Sequence, residues 1–218
     1  MKGYINPLWA TYMSTLIVFY VLVLVFSVIV HEVAHGFMAL KFGDETAKLS
    51  GRLTLNPLKH IDPFGSVLLP LILAISGAPV FGWAKPVPYD PRNLRNPKRE
   101  GGLIALVGPL TNLLVAIVFA VIVRVLMAAD VQLGLLVVLL DVVVWVNLAL
   151  MCFNLIPIPP LDGAGFLFSL LPPSARSFEL FMHRYGMYIL IALIFFGLNF
   201  LGPVIGFMHN ILVGGGVF

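Results

Sequence analysis

Apolar residues run almost without a break from Leu16 to Val30, pause at His31-Glu32-Val33-Ala34-His35, and resume from Gly36 to Leu40. A bilayer-crossing helix needs roughly 20 such residues. The pattern therefore predicts one long helix from about Pro7 to Phe42, closed by the breaker and charges of Gly43-Asp44-Glu45. Leu103 to Met127 and Val131 to Asn154 read as two further full spans, joined by a short turn at Asp130. A fourth span begins at Met187 to Leu201, where Gly202-Pro203 is placed to kink or end it.

The shorter stretches read differently. Phe64 to Ile75 is apolar but short, holds Pro70 and runs into Ser76-Gly77-Ala78-Pro79, which suits a re-entrant segment buried in protein. Ala47 to Pro63 mixes small, polar and β-favouring residues around Gly51 and predicts a short β-hairpin or extended piece. Phe81 to Gly102 is polar and proline-rich and is expected to be an exposed loop. Phe166 to Leu171 reads as a short helix, and Pro172 to Gly186 as a more polar loop. Together these elements predict an all-α membrane protein: a polytopic bundle of about four to five transmembrane helices with a re-entrant segment and a short β-hairpin, forming one domain over residues 1–218.

Composition removes the main alternative. The chain is 60% hydrophobic and only 11% charged, with a mean hydropathy of +1.03; soluble domains carry about 25% charged residues. The first apolar run is too long for a signal-peptide core of roughly 7–15 residues and is expected to be retained. The single cysteine, Cys152, excludes an internal disulfide and a multi-cysteine metal cluster. A net charge of +3 does not call for nucleic acid. Nine of the thirteen Lys and Arg residues fall between Lys41 and Arg99, so the positive-inside rule places both loops around Phe64–Ile75 in the cytoplasm. Chain parity then returns Asp162 to the face that His31 and His35 approach.

Ionisable groups at membrane depth cost on the order of 2.5–3.5 kcal/mol each near a helix centre, and a metal ion would offset that cost. His31 and His35 are spaced i, i+4 and project from one helical face, so they can grip one ion. Glu32 stands beside the ion, placed to take a proton from the attacking water and deliver it to a leaving amine. A catalytic zinc site usually has three protein ligands. Asp162, His60, Asp141, His183 and His209 are the available thirds. Asp162 is favoured because it sits in the strip Asn154-Leu155-Ile156-Pro157-Ile158-Pro159-Pro160-Leu161-Asp162-Gly163, whose prolines hold an extended, aimed backbone. His60 reads as a structural hydrogen-bonding residue, Asp141 as a deep carboxyl that is partnered or protonated, and His183 and His209 as interfacial residues without metal.

The pairing of His31-Glu32-Val33-Ala34-His35 in a transmembrane helix with the distal Asn154…Asp162-Gly163 strip resembles the site-2 protease family of intramembrane zinc metalloproteases. The similarity extends to Leu55-Asn56-Pro57-Leu58-Lys59-His60-Ile61-Asp62-Pro63-Phe64-Gly65, to Gly82-Trp83-Ala84-Lys85-Pro86-Val87-Pro88 and to Gly108-Pro109-Leu110-Thr111-Asn112. The resemblance implies one Zn2+ per chain held by His31, His35 and Asp162, with Glu32 as catalytic base and Asn154 stabilising the oxyanion. It also implies a substrate path near Asn112 and Asn56. The expected substrate is a single-span membrane protein, cut within or near its transmembrane helix in regulated intramembrane proteolysis. The expected setting is the lipid bilayer of the cell membrane, with the active site toward the cytoplasm. No room is seen for a PDZ or CBS domain, which suggests a core-only member. The rival from another class is a transmembrane metal-ion transporter using the same buried ligands; it leaves Glu32 and the Asn154 strip unexplained.

Overall fold

The computed structural model describes residues 7–77, 82, 84–129 and 134–214. Its helices are α1 (Pro7–Lys41), α2 (Thr46–Leu49), α3 (Leu69–Ser76), α4 (Pro97–Ala128), α5 (Gly134–Asn154), α6 (Asp162–Leu170), α7 (Arg176–Phe196) and α8 (Leu201–Val213). Four described segments are long and apolar enough to cross a membrane: Thr15–Lys41, Pro97–Ala128, Gly134–Asn154 and Pro173–Phe196.

Helix α4 is the centre of the bundle, packing on α1, α5, α6 and α8. Its buried stripe runs Gly108, Asn112, Ala116, Ala120 and on to Val123, small residues at helical spacing that let neighbouring backbones come close. Ala116, Ala120 and Val123 meet Val144, Leu148 and Met151 of α5 and Ile205 and Val213 of α8 in the main apolar core. The opposite side of α4 exposes Leu114, Val118, Val121 and Val125, and α1 exposes Ile17, Val18, Val21 and Leu22. These outward faces suit hydrocarbon surroundings.

Several boundaries differ from the sequence expectation. Helix α4 starts at Pro97 because Asn96 caps it: the Asn96 side chain accepts from Arg99 N at 3.2 Å, and Asn96 N donates to Glu100 Oε2 at 3.2 Å. Helix α7 starts at Arg176, well inside the expected polar loop, with Arg176 paired to Glu179 at i, i+3; these two and His183 share one face and line one side of a cavity of about 590 Å³. The last break falls at Gly197 and the 3₁₀ turn Leu198–Phe200, and Pro203 lies in the first turn of α8, where a missing N–H costs nothing. The Asp130 turn lies outside the described residues.

The β-hairpin is corrected. No strand occurs among the described residues, and 47–63 folds as α2, a turn at Gly51 and the 3₁₀ turn Pro57–Lys59. Asn56 and the proline after it set that turn, since Asn56 Oδ1 accepts from Leu58 N at 3.1 Å. Phe64–Ile75 becomes a π-helical turn (Pro63–Leu68), capped by Asp62, followed by α3. At about 1.5 Å per residue this piece is too short to cross a bilayer, and nothing in the fold marks it as re-entrant.

Candidate metal centre

Helix α1 places Ser27, His31 and His35 on one stripe, i, i+4 apart, against α4. His31 Nδ1 lies 2.6 Å from Asn112 Oδ1, and His35 Nδ1 lies 2.6 Å from the Ile104 carbonyl. Both partners are acceptors, so each imidazole carries its proton on Nδ1 and turns the lone pair of Nε2 outward. The Asn112 amide is itself fixed in orientation. Its Nδ2 donates to Asn147 Oδ1 at 2.9 Å and to the Ser27 carbonyl at 3.4 Å, while Asn147 Nδ2 donates to Ser27 Oγ and to the Val143 carbonyl, both at 2.9 Å. Asn112 and Asn147 are fully buried.

The two Nε2 atoms stand 3.0 Å apart, and Asp162 Oδ2 lies 3.0 Å from His31 Nε2 and 3.4 Å from His35 Nε2. Three lone-pair donors thus converge with no proton between them, and Asp162 Oδ2 is buried without a hydrogen-bond donor. Such an arrangement is repulsive unless a cation occupies it. Tetrahedral ligands about 2.0–2.1 Å from zinc are spaced about 3.3 Å apart, so nitrogen and carboxylate donors of this spacing fit that ion. Gly108 makes the approach possible: a Cβ there would lie 2.5 Å from His35 Nε2 and 2.7 Å from His31 Cε1. Asp162 opens α6, delivered by Leu155–Leu161, which is a succession of turns and not the expected extended strip.

Glu32 does not join the three donors. Its Oε2 accepts from Val87 N at 2.8 Å. The Phe81–Gly102 loop, expected to be exposed, is therefore partly docked: Val87 and Leu94 are buried, Leu94 beside Ala39 and Ile104. Asp44 clasps this loop to the end of α1, accepting from Thr46 N (3.1 Å), Thr46 Oγ1 (2.5 Å), Asp90 N (2.7 Å) and Asn93 Nδ2 (2.7 Å). Burial alone would raise the Asp44 carboxyl, but these donors outweigh it and hold it below the ordinary carboxylate value. Asp90, gripped by the Arg92 guanidinium and backbone, is lowered to about 2.

The other sequence candidates fall elsewhere. Asn154 donates its Nδ2 to the Leu150 carbonyl of its own helix at 3.0 Å. Asn112 sits behind His31, and Asn56 is exposed at the cap of its turn. His60 is buried with Nε2 2.8 Å from the Thr54 carbonyl. His183 packs on Phe168 at the cavity. His209, expected at an interface, is instead buried against Asp141, Nε2 to Oδ1 2.6 Å. Sequence reasoning gave no role to Asn147, Ser27 or Arg52. Asn147 carried a signal, since an amide inside an apolar span needs a partner there; Ser27 shares the histidine stripe.

The model of Peptidase family M50 matches residues 19–132 and 122–197. The chain is 38% identical over 187 residues to "Putative zinc metalloprotease YwhC" of Bacillus subtilis, covering 84% of this chain and 82% of that protein. It is 30% identical over 177 residues to "Putative zinc metalloprotease Rip2" of Mycolicibacterium smegmatis, covering 77% of this chain and 63% of that protein. No solved structure matches the chain. With the family match spanning most of the sequence, the chain belongs to peptidase family M50, the site-2 protease family of membrane zinc metalloproteases.

Proposed function

We propose that His31, His35 and Asp162 hold one zinc ion per chain and that Glu32 is the general base for peptide-bond hydrolysis. One observation carries the reading: three unprotonated ligand atoms converge beside a carboxylate anchored by a single oxygen. Zinc, when bound, supplies Lewis-acid polarisation of the scissile carbonyl. The chain does the rest. Asn112 and Ile104 keep both histidines in the Nε2-ligating tautomer. With Oε2 held by Val87 N, Glu32 Oε1 is left to take a proton from the attacking water as the C–O bond forms. It passes that proton to the amide nitrogen as the C–N bond breaks. Asn154 Nδ2, which bonds the Leu150 carbonyl, turns from it to donate to the oxyanion.

The substrate in this reading is a single-span membrane protein, cut within or near the cytoplasmic end of its helix. Three features support it: the site lies near the end of α1, the basic loops cluster at that end, and the family acts in membranes. The chain acts as one transmembrane unit in the cell membrane, its site toward the cytoplasm. The transporter alternative loses its support, since the family is one of enzymes. Purified full-length protein should cleave members of a panel of single-span substrates, and a zinc chelator should stop it. Glu32→Gln should keep zinc but lose at least about 100-fold in rate. A fully active, zinc-loaded Glu32→Gln protein would remove Glu32 from the mechanism.

A further inference from the structure

Arg52 is a buried guanidinium without an ion-pair partner among the described residues, a costly arrangement that calls for an explanation. Its Nη2 donates to the Lys85 carbonyl at 2.6 Å and to the Pro86 carbonyl at 3.3 Å. Lys85 N in turn donates to the His60 carbonyl at 2.9 Å. The next residue along, Val87, gives its N–H to Glu32 Oε2. Two prolines flank Val87 and have no N–H of their own, so Val87 offers the single backbone donor between Lys85 and Tyr89.

Close packing holds the same assembly to α1. Gly36 lies one turn beyond Glu32 on the same helical face. A Cβ at Gly36 would meet Leu53 Cδ2 at 2.5 Å and Val87 Cγ1 at 2.8 Å. Leu53, next to Arg52, and Val87, next to Pro86, therefore press together onto the bare backbone beside the base.

We infer that Arg52 is a positioning residue for Glu32, fixing the Lys85–Val87 backbone so that the Val87 N–H fastens one carboxylate oxygen and aims the other. The inference rests on Glu32 being the base. It explains a full charge whose hydrogen bonds all go to main-chain carbonyls of one strip, a duty no neutral donor of that reach performs as well. Because one nitrogen serves both carbonyls, a lysine ammonium can replace it in part, although Arg and Lys are not interchangeable at forked contacts.

The test uses the full chain in detergent with a cleavable single-span substrate, and reads kcat, KM, zinc content and amide exchange over residues 84–88. Arg52→Ala should lower kcat by about 10- to 100-fold, leave KM within about twofold, keep zinc at about one per chain and speed exchange in the strip. Arg52→Lys should recover part of the lost kcat. Gly36→Ala favours the α1 helix while pushing Leu53 and Val87 away, and should lower kcat in the same way; it decides the matter if Arg52→Ala does not fold. Unchanged kcat in Arg52→Ala beside an inactive Glu32→Gln would overturn the positioning role alone. Loss of zinc in step with loss of rate would overturn it too, by making Arg52 a merely structural residue. An active Glu32→Gln would instead sink the base assignment on which it rests.

Discussion

Near the end of α1, His31 and His35 face Asp162; about 9 Å further along α5 from Asn147, His209 of α8 faces Asp141 of α5. Both clusters bury histidine against carboxylate, but the protons are arranged differently. At the first, every Nδ1 proton is spent on an outer partner, and the facing atoms Nε2, Nε2 and Oδ2 have none to share. At the second, a single 2.6 Å hydrogen bond joins the two residues and Trp145 stacks on the imidazole with centroids 4.6 Å apart. Asp141 Oδ2 is left buried without a donor, and among the described residues no third ligand comes near. The first arrangement calls for a cation to offset the repulsion of its three donors. The second is complete enough as a pin between α5 and α8. Residue type alone does not distinguish a metal centre from a structural pair; the number of proton-free donor atoms that converge does.

The sharpest way to break this contrast is to delete one member of each cluster. His31→Ala or Asp162→Ala should abolish zinc binding and lower cleavage by at least about 1,000-fold, several kcal/mol of transition-state stabilisation. His209→Ala strands Asp141 and destabilises the bundle, but the folded variant should keep its zinc. Metal analysis of the purified variants reads the difference, and zinc loss in His209→Ala would make the two clusters one system. The next largest effect belongs to the pin. Asp141→Ala strands His209 in the core and should cost about 3–5 kcal/mol of stability, while Asp141→Leu combined with His209→Leu should recover most of it. Thermal unfolding in micelles measures both, and a double variant as unstable as the single one would contradict a purely structural pair.

Why one cluster was legible in the sequence and the other was not follows from the same chemistry. The i, i+4 histidines and the intervening glutamate announce themselves because one helix sets their spacing, and Asp162, which only tertiary packing brings from α6 to α1, is reached through its proline strip and the family resemblance. Asp141 and His209 sit on two helices that only tertiary packing brings together, so His209 reads as interfacial until α8 is seen inside the bundle. The long spans α1, α4 and α5 follow from unbroken apolar runs. Helix α7 did not, because Arg176, Glu179 and His183 dilute its first turns although they share one face. The hairpin expected at 47–63 failed where Pro57 and Pro63 start helical turns capped by Asn56 and Asp62. Arg52 left no pattern at all, since its partners are backbone carbonyls, which any residue supplies.

The smallest effects concern the layer that sets the proton positions. Asn112→Leu removes the acceptor of His31 Nδ1 and should weaken zinc by about 10- to 100-fold, the usual loss when a ligand's outer partner is deleted. Asn147→Leu acts one step further out. Without Asn147 Oδ1, the Asn112 Nδ2 keeps only its 3.4 Å contact to the Ser27 carbonyl, and the amide is freer to flip. A flipped amide offers His31 an N–H in place of an oxygen, which moves the imidazole proton to Nε2 and spoils the ligand. The flipped state competes with the native one and does not replace it, so the loss should be a fraction of that in Asn112→Leu. Ser27→Ala, which removes one of two acceptors for Asn147 Nδ2, should cost less again. Competition against a chelator of known affinity orders the three variants. Equal losses at all three would mean that bulk packing, and not the direction of the Asn112 amide, holds the histidines ready for metal.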